Sequence, residues 1–194
     1  MKRAFDFTVS LISLIVLSPL FLIISLVILI DDGGPVIFRQ YRVGKGNKLF
    51  YIYKFRTMKN NTGNIATSEL KNSEEYITRS GHFLRKTSID ELPQLINVLR
   101  GEMSIVGPRP LIPEEKEIRV MREKLGVFNV LPGITGLAQV NGRDTIDDKE
   151  KAQLDKQYVD NFGIKQDIKI LFSTVFAVLS RKDIIEGSEN VNKR

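Results

Sequence analysis

Val9-Ser10-Leu11-Ile12-Ser13-Leu14-Ile15-Val16-Leu17-Ser18-Pro19-Leu20-Phe21-Leu22-Ile23-Ile24-Ser25-Leu26-Val27-Ile28-Leu29-Ile30 is a run of 22 residues without a charge. As a helix it is about 33 Å long, enough to cross the hydrocarbon core of a bilayer. It reads as a membrane segment. A cleaved signal peptide fits poorly, because the run is too long and ends at Asp31-Asp32-Gly33-Gly34-Pro35 instead of a small-residue cleavage site. At its midpoint Pro19 lacks an amide hydrogen and crowds the carbonyl of Ile15, so the helix breaks there, with the Ser18 hydroxyl close enough to serve a freed backbone group. Lys2 and Arg3 precede the run, and Arg39, Arg42, Lys45 and Lys48 follow it. A spanning helix concentrates cations on one side. Cations on both flanks favour a re-entrant helix over residues 1–32, broken at Ser18-Pro19, with both ends on the cytoplasmic face. A Pro-kinked single span is the alternative.

The 194 residues carry 29 Lys plus Arg against 23 Asp plus Glu, a net +6. That is one domain's length, enough for a sizeable core. At 42% hydrophobic and 27% charged, the chain is neither collagen-like nor wholly disordered. It has no Cys and a single His, His82. Disulfides, thiolate nucleophiles, zinc ribbons, iron–sulfur clusters and multi-His metal sites are thereby excluded. Catalysis here falls to carboxylates, Lys, Arg and hydroxyls. No basic helix or stacking-aromatic motif stands out, so no nucleic-acid partner is expected.

Beyond the apolar run, Val36–Val43 and Leu49–Thr57 flank Gly44-Lys45-Gly46-Asn47 and predict a β-hairpin. Alternation in the second strand places Ile52, Lys54 and Arg56 on one face, so that two cations project together. Asn60–Ser73 is polar and reads as a loop. In Phe83–Gly101, the residues Leu92, Leu95, Ile96 and Leu99 follow helical spacing, Gly101 is a stop, and Pro93 places the start near Asp90. Thr87 or Ser88 is the expected cap, and Ser88 with Glu91 fits a capping box. Acids in a first turn commonly serve the helix dipole alone. Here two adjacent carboxylates follow Arg85 and Lys86 at a helix's positive end, a combination that could hold Mg²⁺ and a phosphate together. A carboxylate can also attack phosphorus and divide one hard step into two.

Gly107-Pro108-Arg109-Pro110 presents a guanidinium on a stiff loop. Pro113–Gly126 predicts a scaffold helix with Ile118, Met121 and Leu125 inward and Arg122 and Lys124 closing it. Leu131–Arg143 is rich in turns and glycine, suited to close backbone approach to a ligand, yet matches neither a P-loop nor a dinucleotide fingerprint. A helix carrying Leu154, Asp155 and Tyr158 follows. Ile164–Ile185 then shows a broad apolar stripe (Ile168, Leu171, Phe172, Val175, Phe176, Leu179) bracketed by Lys165, Lys169, Arg181 and Lys182, the pattern of an interfacial helix or of an ordinary core helix. The expected fold is α+β and mostly helical, with a re-entrant membrane helix (1–32) and a small cytoplasmic catalytic domain (33–194).

The apolar run broken at Ser18-Pro19, Tyr53–Met58, Ser88–Leu95 with its Asp90-Glu91 pair, Gly107–Pro110 and Pro132–Arg143 occur in one order. Together they resemble the monotopic phosphoglycosyl transferases, which initiate bacterial capsule, exopolysaccharide and glycan assembly. The resemblance covers nearly the whole chain and is to the minimal catalytic form. It implies that Asp90 attacks the β-phosphate of a UDP-sugar and expels UMP. Polyprenyl (undecaprenyl) phosphate then takes the phosphosugar, with Mg²⁺ as cofactor. It further implies Glu91 as catalytic partner and, with Asp90, metal ligand. Lys54, Arg85 and Arg109 would contact phosphate, Gln139 and Arg143 the nucleotide side, and Asp155 is a further acid of the substrate site. The implied partners are the UDP-sugar, the polyprenyl phosphate and membrane lipids, on the cytoplasmic face of the bacterial inner membrane. A homo-oligomer is compatible with this. A non-catalytic single-span protein with a basic binding domain would explain the charge and the apolar run, but it leaves the Asp90-Glu91 pair without a task.

Overall fold

The structure is a computed structural model and describes residues 1–62, 73–142 and 145–180. The chain opens with two helices, α1 (Lys2–Val16) and α2 (Ser18–Asp32), bent by 61° at Leu17. Among the described residues no single helix is long and apolar enough to cross a membrane, whereas this bent pair together has the length and composition. The Ser18 hydroxyl donates to the Ile15 carbonyl at 2.8 Å, satisfying the acceptor that Pro19 strands. Along the outer side Ile12, Ile15, Val16, Leu22, Ile23 and Ile30 are exposed.

Strands β1 (Ile37–Val43) and β2 (Leu49–Phe55) form the expected antiparallel hairpin, with Val43 opposite Leu49. Helices α3 (Arg79–Lys86) and α4 (Gln94–Arg100) follow, then strand β3 (Ser104–Val106) and helix α5 (Lys116–Lys124). Strand β4 (Gly133–Thr135), the short α6 (Leu137–Val140), α7 (Asp148–Asp160) and α8 (Ile164–Ser180) complete the described chain. The fold is mostly helical with a small hairpin, as the sequence implies. The parallel pairing of β3 with β4, Ser104 opposite Gly133 and Val106 opposite Thr135, has no signal in the sequence because each strand has three residues.

Both ends of the bent pair are tied to the rest of the molecule. At its start, Lys2 pairs with Asp167 at 2.6 Å, Asp6 accepts from Ser104 at 2.8 Å, and Arg3 donates to the carbonyls of Val98 and Leu99. At its end, Asp31 accepts from the Ser80 amide and hydroxyl, and Arg56 donates to the carbonyls of Asp32 and Gly33. Between them Ile24 and Ile28 share a core with Phe55 and Leu84, flanked by Ile89 and Leu92.

Several expectations are corrected. The helix expected to start near Asp90 begins only after Pro93, because Ser88 takes a left-handed φ of 55° and opens a 3-10 turn at Ile89–Glu91. Ser88 makes no side-chain cap, and the inner face of α4 is Gln94, Leu95, Asn97 and Val98. The Arg56 guanidinium, expected to project beside Lys54, is taken by the carbonyls of Asp32 and Gly33 at the end of α2. Glycines 133 and 136 serve chain packing: a Cβ on either would lie 2.1 or 2.2 Å from the backbone of Gly107. The helix expected to open at Pro113 begins at Lys116; Arg122 and Lys124 lie in its last turn as expected, with Arg122 buried. The polar loop from Asn60, between residues 63 and 72, lies outside the described residues, as do Arg143, Arg181 and Lys182.

Candidate active site

Ile89 and Leu92 fasten the 3-10 turn to the core formed with α2 and β2, and this fixes the two acids between them. Asp90 is buried and Glu91 largely so. Lys54, from the inward face of β2, reaches Glu91 Oε1 at 2.7 Å. Arg109, on its proline-flanked loop, comes within 3.9 Å of the same oxygen. On α3, Arg85 Nε donates to the Thr57 hydroxyl at 2.9 Å, just past the end of β2.

Glu91, Lys54 and Arg109 share an open-sided pocket of about 230 Å³ with Arg42, Gln94 and Gly133, floored by Ile52 and Ile134. Arg42 was not among the residues singled out for chemistry; in the sequence it is one more cation after the apolar run. Strand alternation places it with Gln40 on the face opposite the exposed Arg39 and Tyr41, and Arg42 is itself buried. Burial, and then the charge of Arg109, push its guanidinium down to about 10, still protonated at neutral pH. Three cations and one carboxylate thus line a cleft of partly low dielectric, where charge–charge interactions exceed their strength in water. Such a site suits a phosphate-bearing anion.

The chain matches the family model described as "Bacterial sugar transferase" over residues 1–181. It belongs to that family. The chain is 43% identical over 185 residues to an undecaprenyl-phosphate glucose phosphotransferase of Komagataeibacter xylinus, covering 90% of this chain and 35% of that protein. It is 41% identical to the sugar transferase EpsL of Bacillus subtilis (strain 168), covering 99% of this chain and 92% of the relative. It is also 41% identical to an undecaprenyl-phosphate galactose phosphotransferase of Salmonella typhimurium, covering 93% of this chain and 41% of that protein. The sugar transferase therefore spans less than half the length of the two phosphotransferases and nearly all of EpsL.

Other residues implied by the motifs fall behind the pocket. Gln139 turns back on its own loop, its Nε2 donating to the Ile134 carbonyl at 2.9 Å, and so backs a residue that lines the pocket. Asp155 is 1% exposed and lies 2.5 Å from Arg122, not in the pocket. Arg122 in turn donates to the Arg109 carbonyl at 2.7 Å, so this pair braces the loop that presents Arg109. Ser18 and Pro19 form the bend of the helix pair. Among the described residues no group of three His, Cys, Asp or Glu side chains could enclose a metal. Adjacent hard carboxylates at a phosphate pocket fit Mg²⁺, which keeps waters and substrate oxygens and needs only one or two protein ligands.

Proposed function

We propose that this sugar transferase moves a phosphosugar from a UDP-sugar to polyprenyl phosphate and releases UMP, in the first membrane step of polysaccharide assembly. The observation that carries this is the Asp90-Glu91 turn itself: two adjacent carboxylates fixed to the core of the bent apolar pair, with Glu91 paired to Lys54 and within 3.9 Å of Arg109. In the first step an Asp90 oxygen attacks the β-phosphorus, the bond to the bridging oxygen breaks, and UMP leaves with that oxygen. In the second, an oxygen of polyprenyl phosphate attacks the same phosphorus; the aspartyl bond breaks, yielding polyprenyl diphosphate sugar and a free carboxylate. Lys54 and Arg109 offset the negative charge on the phosphoryl oxygens, and the Glu91 carboxylate holds Lys54 in position. Asp90 and Glu91 would hold Mg²⁺, which supplies further charge neutralisation at the phosphates.

A two-step route lets UMP depart before the lipid phosphate enters, so two bulky anions need not share a pocket of this size. It also suits a re-entrant topology on the cytoplasmic face of the bacterial membrane. The reading is supported by the two ends of the bent pair, which attach to one body through Lys2–Asp167 and Arg56–Gly33. The experiment is to give purified protein a UDP-sugar and Mg²⁺ without lipid. The expected result is UMP release with a phosphosugar gained in intact mass, and Asp90→Asn erases both. Transfer by Asp90→Asn at near wild-type rate would place the nucleophile elsewhere.

A further inference from the structure

Arg42 is buried, and the hydrogen bonds of its guanidinium go to neutral oxygens. Its Nη2 donates to the Gln40 side chain at 2.9 Å, its Nη1 reaches the Pro110 carbonyl only at 3.5 Å, and its Nε is buried without any partner. A second guanidinium, that of Arg109, lines the same pocket. Two buried or half-buried like charges repel each other, and a buried donor left without an acceptor is costly. Both costs vanish if an anion enters between them.

We infer that Arg42 is a substrate-contacting residue which, with Arg109, grips the second phosphate of a diphosphate whose first phosphate lies at Lys54 beside the acids. The order around the pocket gives the assignment. Lys54 touches Glu91, Arg109 comes within 3.9 Å of the same oxygen, and Arg42 lines the same pocket against Pro110, the neighbour of Arg109 in the chain. With the reacting phosphorus next to Asp90, the Arg42–Arg109 end receives the phosphate that departs with the leaving group. The pocket thereby selects diphosphates over monophosphates. This rests on the proposed function for the identity of the reacting end, but the diphosphate grip can be read without turnover.

The probes are inorganic pyrophosphate, orthophosphate and UDP, titrated into full-length wild type and Arg42→Gln in detergent by equilibrium dialysis. Glutamine keeps an amide donor for the Pro110 carbonyl and removes the charge. The expected result is a loss of at least tenfold in affinity for pyrophosphate and UDP, with less than threefold change for orthophosphate. The slope of log affinity against log salt should flatten by about one charge, a change that a merely structural role would not produce. Arg42→Lys, which keeps a charge but loses the fork, should fall between, and it decides the matter if the Gln variant does not fold. Pyrophosphate binding to either variant with wild-type affinity and salt slope overturns the inference. If wild type releases no UMP from any UDP-sugar while Arg42→Gln still loses pyrophosphate affinity, the transferase reading fails and the diphosphate grip stands.

Discussion

Asp155 and Arg122 show how a motif residue can be held by a buried partner away from the pocket. The pair is almost fully buried at 2.5 Å, with side chains 1% and 4% exposed. Burial drives the Asp155 carboxyl up to about 6, and the Arg122 charge offsets only part of this. Between pH 3.8 and about 6 the folded chain holds a proton that the unfolded chain has lost. Stability from this group is therefore full below about pH 4 and declines as pH rises towards 6. The stability of wild type relative to Arg122→Met/Asp155→Leu should fall over that window, read as thermal midpoints at matched pH. Arg122→Met alone leaves a buried carboxylate unpaired and should cost about 3–5 kcal/mol, most of it recovered in the double variant. The sequence marks Asp155 as an acid on a helix, but its partner lies 33 positions away on another helix, which no local pattern shows. Asp90 and Glu91 were legible because their meaning is local: adjacent acids after a basic pair.

At the scale of elements, the turn holding those acids was the harder inference. Helical spacing over Leu92–Leu99 is real, but Ser88 at φ 55° opens a 3-10 turn at Ile89–Glu91, so the acids sit in that turn ahead of α4 instead of in its first turn. Packing of Ile89 and Leu92 on α2 decides this, not propensity. The glycines make a second case: Gly133→Ala would put a Cβ 2.1 Å from the Gly107 amide nitrogen and wedge β3 from β4. It should destabilise the protein by several kcal/mol, about 3 or more, as a lower thermal midpoint, and raise the KM for the UDP-sugar because Gly133 lines the pocket. In the bent pair, Ser18→Ala/Pro19→Ala restores a regular helix of about 46 Å over residues 2–32. The chain has no Cys, so a Cys introduced near the N-terminus reports alone. It should be labelled only from the cytoplasmic side in the parent and become periplasmically accessible in the double variant. Periplasmic labelling of the parent would overturn the re-entrant reading.

Over the whole molecule, apolar surface gathers outside the pocket. The outward residues of α1 and α2 are joined by α8, where Phe172, Val175 and Phe176 are 75%, 59% and 70% exposed. A helix with that much bare apolar surface is unlike a core helix and fits the interfacial alternative. Phe172→Ser/Val175→Ser should leave UMP release from a UDP-sugar without lipid unchanged and slow transfer to polyprenyl phosphate several-fold, separating the soluble half-reaction from the membrane one. What the sequence determined by itself was chemistry carried by neighbours in the chain: the broken apolar run, the hairpin around Gly44–Asn47, the acid pair and the stiff Arg109 loop. Each follows from side-chain type, proline stereochemistry or period, all readable within a few residues. Only the tertiary structure decided that Arg56 serves a helix end, that Asp155 braces a loop, and that Arg42 joins Lys54 and Arg109 around one cleft. The physical reason is competition for partners. A buried cation goes to whichever unsatisfied carbonyl, carboxylate or anion the fold brings within about 3 Å, and sequence separation does not enter that choice.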